Sequence, residues 1–259
     1  MTGKITIKNK EEIEIMTLGG EKLGLIRDSL AKAVAAGVNA EEIDNLACEL
    51  IEKMGGSPSF KTVSGYRWAT CINVNDGMVH GIPHKTIVFK KDDLVSIDVG
   101  MIYKGYHTDT STTLYLGTKD KERLRFLEKG KEALGLAIRQ AKVGNKVEDI
   151  ASATETALKK AGYQPITSLT GHGIGKNLHE PPYIPCFVGG NVDEKVELKE
   201  GMVLAIEVMY TLGKPELTVD DDKWTLRTRD GKISGLFEET VVVSKHGPFV
   251  LTGRKKSKL

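Results

Sequence analysis

The chain of 259 residues is predicted to be an α+β protein whose two halves each contain two helices followed by strands. Segments with helical periodicity alternate with segments in which every second residue is apolar. The chain also partly repeats itself. When the sequence is aligned with itself at an offset, the helical segments of the two halves match, and a slightly larger offset places Asp98 on Glu207. We therefore expect halves of roughly 10–117 and 118–250, related by a pseudo-twofold axis around a central antiparallel sheet.

Helical periodicity of apolar residues marks long segments in both halves. These segments are 9–36, 120–143 and 146–161, with a further helix beginning after residue 39. Gly37 is the expected C-cap of the first helix, because glycine adopts the left-handed conformation that often ends a helix. Asn39 and Glu42 form a capping-box pattern that predicts the start of the second helix. The helices carry no obvious chemistry and are expected to cover the sheet.

Residues 94–116 predict a hairpin in the first half. Apolar residues alternate around Asp98, Gly105 marks a turn, and Asp109 follows on the returning strand. A hairpin of this kind can hold the two carboxylates side by side.

The strands of the second half repeat this layout. Residues 202–210 place Glu207 in the middle of a strand, and residues 234–243 place Glu238 on a later strand rich in β-branched residues. Each half is therefore expected to contribute a pair of acidic side chains from strand segments.

His172 lies in a glycine-rich segment, residues 170–175, where the backbone can approach a bound ion or substrate closely. A dinucleotide-binding loop is not expected there, because no helical pattern follows the glycines. Together with the four acids, this histidine completes a set of candidate metal ligands: Asp98, Asp109, His172, Glu207 and Glu238.

This ligand set predicts a hydrolase centre with two metal ions. Four carboxylates within about 4 Å of one another would repel by roughly 4 kcal/mol per close pair, even at an effective dielectric constant near 20. A fold stabilised by about 5 to 15 kcal/mol does not tolerate such repulsion. Two divalent cations would neutralise the four charges. The imidazole favours a transition metal over Ca²⁺ or Mg²⁺, so Mn²⁺, Fe²⁺, Co²⁺ and Zn²⁺ are all admissible.

Length and composition favour a single catalytic domain over residues 1–259. A chain of this length buries roughly 70 to 75% of its unfolded surface, and no linker or low-complexity stretch divides it. The start lacks the apolar region of a signal peptide, and no uncharged run approaches the roughly 20 residues of a membrane span. We therefore expect a cytoplasmic monomer without a membrane partner. Three cysteines without paired spacing indicate free thiols rather than disulfides or structural zinc.

The net charge of +2 does not predict nucleic acid as a specific partner. The one basic run, residues 254–259, is interpreted as a solvated C-terminal tail. The alternative is a weak, transient electrostatic contact with the ribosome or RNA.

The motifs of the chain, in their order, resemble those of the type I methionine aminopeptidases, within the pita-bread family of metallopeptidases. They are NVNDGMVHGIP (73–83), SIDVG (96–100), HTDTS (107–111), GHGIG (171–175), HEPP (179–182), AIEV (205–208) and FEET (237–240). The series covers nearly the whole chain, and the interval from His172 to Glu238 leaves no room for the helical insertion of type II members. The resemblance implies the pita-bread fold and metal-dependent removal of the initiator methionine from nascent proteins and peptides, with a small second residue preferred.

The resemblance also implies a role for each candidate ligand. Asp98 would chelate one metal ion through both carboxylate oxygens, and Asp109 and Glu238 would bridge the two ions. His172 and Glu207 would complete the shell of the second ion. The ions would activate a water that attacks the first peptide bond, with Glu207 as a candidate acceptor of its proton.

Two further histidines are placed beside the substrate by the resemblance. His179 would hydrogen-bond the scissile carbonyl group, and His80 would steer or protonate the leaving amine. From the residues alone, His80 would be interpreted as a satisfied surface or core histidine.

An apolar pocket for the methionine side chain is also implied by the resemblance. Its candidate residues are Tyr66, Cys71, Trp224 and Phe60, with Val63 and Leu178 beside them. From the residues alone these positions would be ordinary core. The chain departs from the family pattern here: Leu178 stands where an aromatic residue is frequent, and Phe60 and Val63 replace a cysteine and a tyrosine. We expect methionine to fit a pocket of altered shape.

Three alternative functions share parts of this pattern. An aminopeptidase P or prolidase would use the same metal motifs, but such enzymes usually carry a sizeable N-terminal domain. A catalytically silent pita-bread module that binds peptides, proteins or RNA would typically lack metal ligands. A two-metal phosphoesterase would need a cationic clamp beside the ligands, which the sequence does not show. Removal of the initiator methionine is therefore the preferred hypothesis.

Overall fold

The structure, a computed structural model, describes residues 4–190 and 193–253. Its α-helices in this part of the chain are α1 (Lys10–Ala33), α2 (Ala40–Lys53), α3 (Lys121–Gln140) and α4 (Val147–Ala161). The predicted capping box at the start of α2 is confirmed, because the Asn39 side chain accepts a hydrogen bond from the Glu42 N–H at 3.1 Å. The prediction that Gly37 caps α1 is wrong. The helix ends earlier, and the Gly37 N–H donates to the carbonyl oxygen of Phe89 at 2.9 Å instead of to a helical carbonyl.

Most strands belong to one large antiparallel sheet. The strands are β1 (Ser57–Pro58), β2 (Thr70–Val74), β3 (Gly77–Val79), β4 (Leu94–Tyr103), β5 (Tyr106–Tyr115), β6 (Gln164–Pro165), β7 (Thr170–Gly173), β8 (Glu180–Pro185), β9 (Val203–Thr211), β10 (Leu217–Val219), β11 (Leu226–Thr228), β12 (Ser234–Val242) and β13 (Phe249–Val250). The large sheet has the order β1-β4-β5-β12-β9-β7-β8, with β2 beside β4, β6 beside β9 and β13 beside β12. A smaller sheet has the order β10-β11-β3.

The helices cover one face of the large sheet. Val95, Ile97 and Val99 of β4 share an apolar core with α1 and α2, and Leu204 and Ile206 of β9 share another with α3 and α4. Because side chains alternate along a strand, the residues between them point to the opposite face. The antiparallel sheet and the helix–helix–strand order confirm the predicted α+β class.

No helix within the described ranges is both long and apolar enough to cross a membrane. The basic run 254–259, interpreted above as a solvated tail, lies outside the described residues.

Candidate metal centre and substrate pocket

A cavity of about 160 Å³ lies on the face of the sheet opposite the helices. Every residue that the sequence analysis proposed for the site lines this cavity: Phe60, Val63, Tyr66, Cys71, His80, Asp98, Asp109, His172, Leu178, His179, Glu207, Trp224 and Glu238. A larger groove of about 680 Å³ lies between α3 and α4, but it contains none of these residues. The smaller cavity is therefore the candidate site.

Strand register explains how acids distant in sequence come together. Asp98 of β4 lies opposite Ser111 of β5, which lies opposite Glu238 of β12, which in turn lies opposite Glu207 of β9. Residues directly opposite one another in antiparallel strands share a face of the sheet. The three acids and the serine thus form one row across four neighbouring strands.

Asp109 and His172 form part of a second row on the same face. Asp109 is two residues before Ser111, so its side chain points to the same side. His172 of β7 lies opposite Ala205, which is two residues before Glu207. One ligand atom from each of Asp109, His172 and Glu238 lies within 4.8 Å of the others. Ligands that each lie about 2.0 to 2.3 Å from one ion have separations of this order.

The protonation behaviour of the four acids reflects their burial and mutual repulsion. Burial raises the pKa of Asp98 to about 7. Burial and the charges of neighbouring carboxylates raise the pKa values of Asp109, Glu207 and Glu238 well above the ordinary range. Burial lowers the pKa of His172 to about 3. A nearby cation would favour the ionised form of these acids and would keep the imidazole neutral, which is the form that coordinates a metal.

The hydrogen bonding of these groups fits a metal ion. The buried Oδ1 of Asp98 and Oγ of Ser111 have no hydrogen-bond partner among the described residues. The Nδ1 of His172 lies 2.9 Å from the Gly173 carbonyl oxygen and must therefore donate its proton there. This leaves the Nε2 lone pair of the neutral ring free to coordinate. Carboxylate oxygens and one imidazole nitrogen suit Mn²⁺, Fe²⁺, Co²⁺ or Zn²⁺.

Two histidines lie at the mouth of the cavity. The ring of His179 meets that of His172 edge to face, with centroids 4.5 Å apart. His80 directly follows β3, with φ +58°. Both side chains retain exposure, yet desolvation lowers both pKa values, and for His80 the neighbouring His179 adds to the effect. Neutral imidazoles can donate a hydrogen bond from one nitrogen and accept one at the other.

The wall of the cavity next to the acids is largely apolar. Tyr66 packs edge to face on Trp224, with centroids 5.1 Å apart, and its hydroxyl donates to the Thr70 carbonyl oxygen at 2.9 Å. Cys71 lies opposite Asp98, and burial raises its thiol pKa well above the ordinary value, so the sulfur is a neutral wall atom. Phe60 lies over Gly100, where an added Cβ would come within 2.8 Å of the ring. The wall can accept an uncharged side chain.

Two residues of this region were missed by the sequence analysis. Val79 lines the cavity, and Ser111 lies between the acids of the first row. Val79 directly precedes His80 in a motif that had been recognised, so its position was an available signal. Ser111 ends the recognised motif 107–111, but its position between the acids becomes visible only when strand register is known.

The sequence profile of metallopeptidase family M24 matches residues 31–245. A methionine aminopeptidase of Aquifex aeolicus is 37% identical over 254 residues, covering 96% of this chain and 98% of that protein. Methionine aminopeptidase 1 of Bacillus subtilis is 35% identical, covering 96% of this chain and 99% of that protein.

Solved structures show the same relationship. The crystal structure of a methionine aminopeptidase from Thermotoga maritima superposes with a TM-score of 0.93 at 34% identity, covering 97% of this chain and 100% of that one. Prolidase from Pyrococcus furiosus has a TM-score of 0.74 at 25% identity, and the match covers 96% of this chain but only 66% of the prolidase. The pita-bread fold expected from the motifs is confirmed. This chain therefore belongs to the methionine aminopeptidases of metallopeptidase family M24.

Proposed function

We propose that this methionine aminopeptidase removes the initiator methionine from nascent proteins and peptides through two divalent ions, with a preference for a small second residue. The convergence of all five candidate ligands on one cavity with an apolar wall is the observation that carries the proposal. The proposal places the enzyme in the cytoplasm as a monomer, where nascent chains are available. A transient ribosome contact through the basic run 254–259 is part of the same proposal.

The ligand roles follow the rows of the sheet. Asp98 lies at one end of the first row and would chelate one ion. Asp109 and Glu238 come from neighbouring strands at the middle of the site and would bridge two ions. His172 and Glu207, from the β7 and β9 side, would complete the ligand set of the second ion. When bound, such ions supply a water of lowered pKa and polarise the scissile carbonyl group.

The other residues of the cavity bind and orient the peptide. The methionine side chain would lie against Phe60, Tyr66, Cys71 and Trp224, which exclude water from the thioether. His179 would donate a hydrogen bond to the carbonyl oxygen as negative charge develops on it. His80, near His179 at the mouth, would hold or protonate the leaving nitrogen. Glu207 is the candidate group for accepting the proton of the attacking water.

The restricted cavity supports the preference for a small second residue. A volume of about 160 Å³ accommodates one side chain, and both histidines stand at its mouth. A bulky second side chain would press on this mouth and displace the scissile bond. Small displacements of a reacting group are costly to the rate.

Release of methionine from Met-Ala-Ser and Met-Leu-Ser by the metal-stripped protein, titrated separately with Mn²⁺, Fe²⁺, Co²⁺ and Zn²⁺, tests the proposal. We expect metal-dependent cleavage, with Met-Ala-Ser preferred by about tenfold or more. Equal rates would contradict the second-residue preference. An Xaa-Pro peptide serves as the comparison substrate, and its exclusive cleavage would favour a prolidase instead. Calorimetric titration gives the number of ions bound, and a single site would contradict the two-ion proposal.

A further inference from the structure

The junction of β5 with β12 is an unusual part of the sheet. β12 pairs with β9 along its whole length, from Ser234 to Val242, but its backbone ladder with β5 is confined to Glu238 and Glu239. The candidate bridging ligands Asp109 and Glu238 come from these two strands. Their spacing therefore depends on whatever holds β5 and β12 together beyond that short ladder.

Two buried threonines link β5 to β12 by side-chain hydrogen bonds on either side of this short ladder. On one side, the Thr240 hydroxyl accepts a hydrogen bond from the Asp109 N–H at 2.9 Å and donates to the Asp109 carbonyl oxygen at 2.7 Å. On the other side, the Thr113 hydroxyl accepts from the Leu236 N–H at 2.9 Å and donates to the Leu236 carbonyl oxygen at 2.8 Å. Both threonines have no exposed surface. Each hydroxyl thus replaces a pair of backbone hydrogen bonds between the strands.

The two threonines differ in what their partner residue does. The Thr240 hydroxyl hydrogen-bonds both the N–H and the carbonyl oxygen of Asp109. Thr240 is also two residues from Glu238 on the same strand, so the two side chains point to the same face. The Thr113 hydroxyl hydrogen-bonds the backbone of Leu236, an apolar residue outside the ligand set. A displaced Asp109 backbone would move a carboxylate relative to Glu238, whereas a displaced Leu236 would disturb packing.

We propose that Thr240 is a positioning residue of the metal centre, whose hydroxyl sets the spacing between the carboxylates of Asp109 and Glu238. The inference rests on the proposed centre, because it assumes that these two acids hold metal together. Removing the hydroxyl leaves the buried N–H and carbonyl of Asp109 without partners, so the backbone must shift to satisfy them. Supporting groups of this kind commonly change metal affinity by about 10- to 100-fold when altered.

The experiment compares Thr240→Val, Thr240→Ser and Thr113→Val in the full chain. Thr113→Val is the matched control, because it removes an equivalent pair of strand-to-strand hydrogen bonds, those to Leu236, and also the contact of Thr113 with Ser96 at 2.8 Å. Metal-free proteins are titrated with Mn²⁺ and Co²⁺ by calorimetry, and the visible absorption spectrum of the Co²⁺ form reports ligand geometry. Thermal unfolding of each metal-free variant measures its stability.

We expect Thr240→Val to bind both ions about tenfold or more weakly and to alter the Co²⁺ spectrum. Thr240→Ser, which keeps the hydroxyl, should bind like the wild type, and Thr113→Val should lose stability while keeping wild-type affinity and spectrum. Wild-type affinity in Thr240→Val, or equal weakening in Thr113→Val, would overturn the inference. If Thr240→Val does not fold, Thr240→Ala, which leaves room for a water, takes its place in the comparison. A wild-type protein that binds neither ion overturns the proposed centre itself, and the inference with it.

Discussion

Lys8 and Glu180 form an ion pair of 2.8 Å although both side chains are buried, with 5% and 4% of their surfaces exposed. The pair joins the segment before α1 to the residue that follows His179. Glu180 also accepts hydrogen bonds from the Thr6 hydroxyl and from the Asn177 N–H. The Glu180 carboxylate therefore connects both ends of the segment 177–180, which carries Leu178 and His179 into the cavity, and the ion pair anchors this carboxylate to Lys8.

Replacing Lys8 by methionine is expected to destabilise the protein by about 3 kcal/mol or more. The change keeps much of the apolar stem but leaves the Glu180 charge buried without its cation, which is more costly than removing both charges. Urea unfolding of Lys8→Met, Glu180→Gln and the double variant measures this. The double variant should be more stable than the two single losses added together, and strict additivity would contradict a direct interaction.

Acid is expected to weaken the same interaction. Burial raises the pKa of Glu180, but hydrogen bonds from Lys8, Thr6 and the Asn177 N–H outweigh it, so the pKa lies below its usual value of 4.5. A carboxyl group with a lowered folded pKa stabilises the fold above its unfolded pKa, and this contribution is lost as pH falls through the folded pKa. The unfolding free energies of wild type and Glu180→Gln should therefore differ most at about pH 7, and the difference should shrink as the pH falls below the ordinary glutamate pKa of 4.5. A constant difference over this range would contradict the assignment.

The fold class and the candidate ligands could be predicted because both depend on local pattern. Strand-like segments located all four acids, with alternating apolar residues around Asp98, and the glycine-rich segment 170–175 located His172. Interactions between segments that are distant in sequence leave no such local pattern. Lys8 and Glu180, for example, come together only when the chain folds. The same reason explains the wrong capping prediction at Gly37, because its N–H is bound by Phe89, far along the sequence. Register across β5 and β12 was equally invisible, so Ser111 was missed.

Divalent metal is expected to stabilise the wild-type protein against heat. At a free concentration about 100-fold above Kd, binding contributes about 2.7 kcal/mol, which corresponds to a Tm increase of about 5 to 10 °C. Glu238→Gln removes a candidate bridging ligand and should abolish most of this increase. In the metal-free state it should melt above the wild type, because burial and neighbouring acids already disfavour the Glu238 charge.

Differential scanning fluorimetry with EDTA, and then with Mn²⁺ or Co²⁺, measures both effects. Glu52→Gln is the control, because Glu52 is an exposed acid on α2. It should show the full metal-dependent increase. A Glu238→Gln protein stabilised by metal as strongly as the control would contradict the ligand assignment.

His179→Ala is expected to lower kcat for Met-Ala-Ser by about 10²- to 10³-fold while leaving metal affinity within about threefold of the wild type. The imidazole stands at the cavity mouth beside His172, where, under the proposed mechanism, its loss would remove a hydrogen bond to the developing oxyanion but no metal ligand. Steady-state kinetics and calorimetric metal titration separate the two effects. His84→Ala, at an exposed histidine bonded to Thr86, should behave like the wild type. Parallel losses of metal binding and activity in His179→Ala would show instead that the ring supports the centre.

Phe60→Leu is expected to raise KM for Met-Ala-Ser by about tenfold, with kcat changed by less than about threefold. The ring forms part of the cavity wall and packs over Gly100, so under the proposed function a smaller side chain should remove apolar contact with the bound methionine. Phe126→Leu is the matched control, because Phe126 is fully buried in the core that α3 and α4 share with β9. Both variants should lose stability through the same change in side chain, but only Phe60→Leu should alter KM. An equal change of KM in both would show that loosening of the fold, and not the pocket wall, determines substrate affinity.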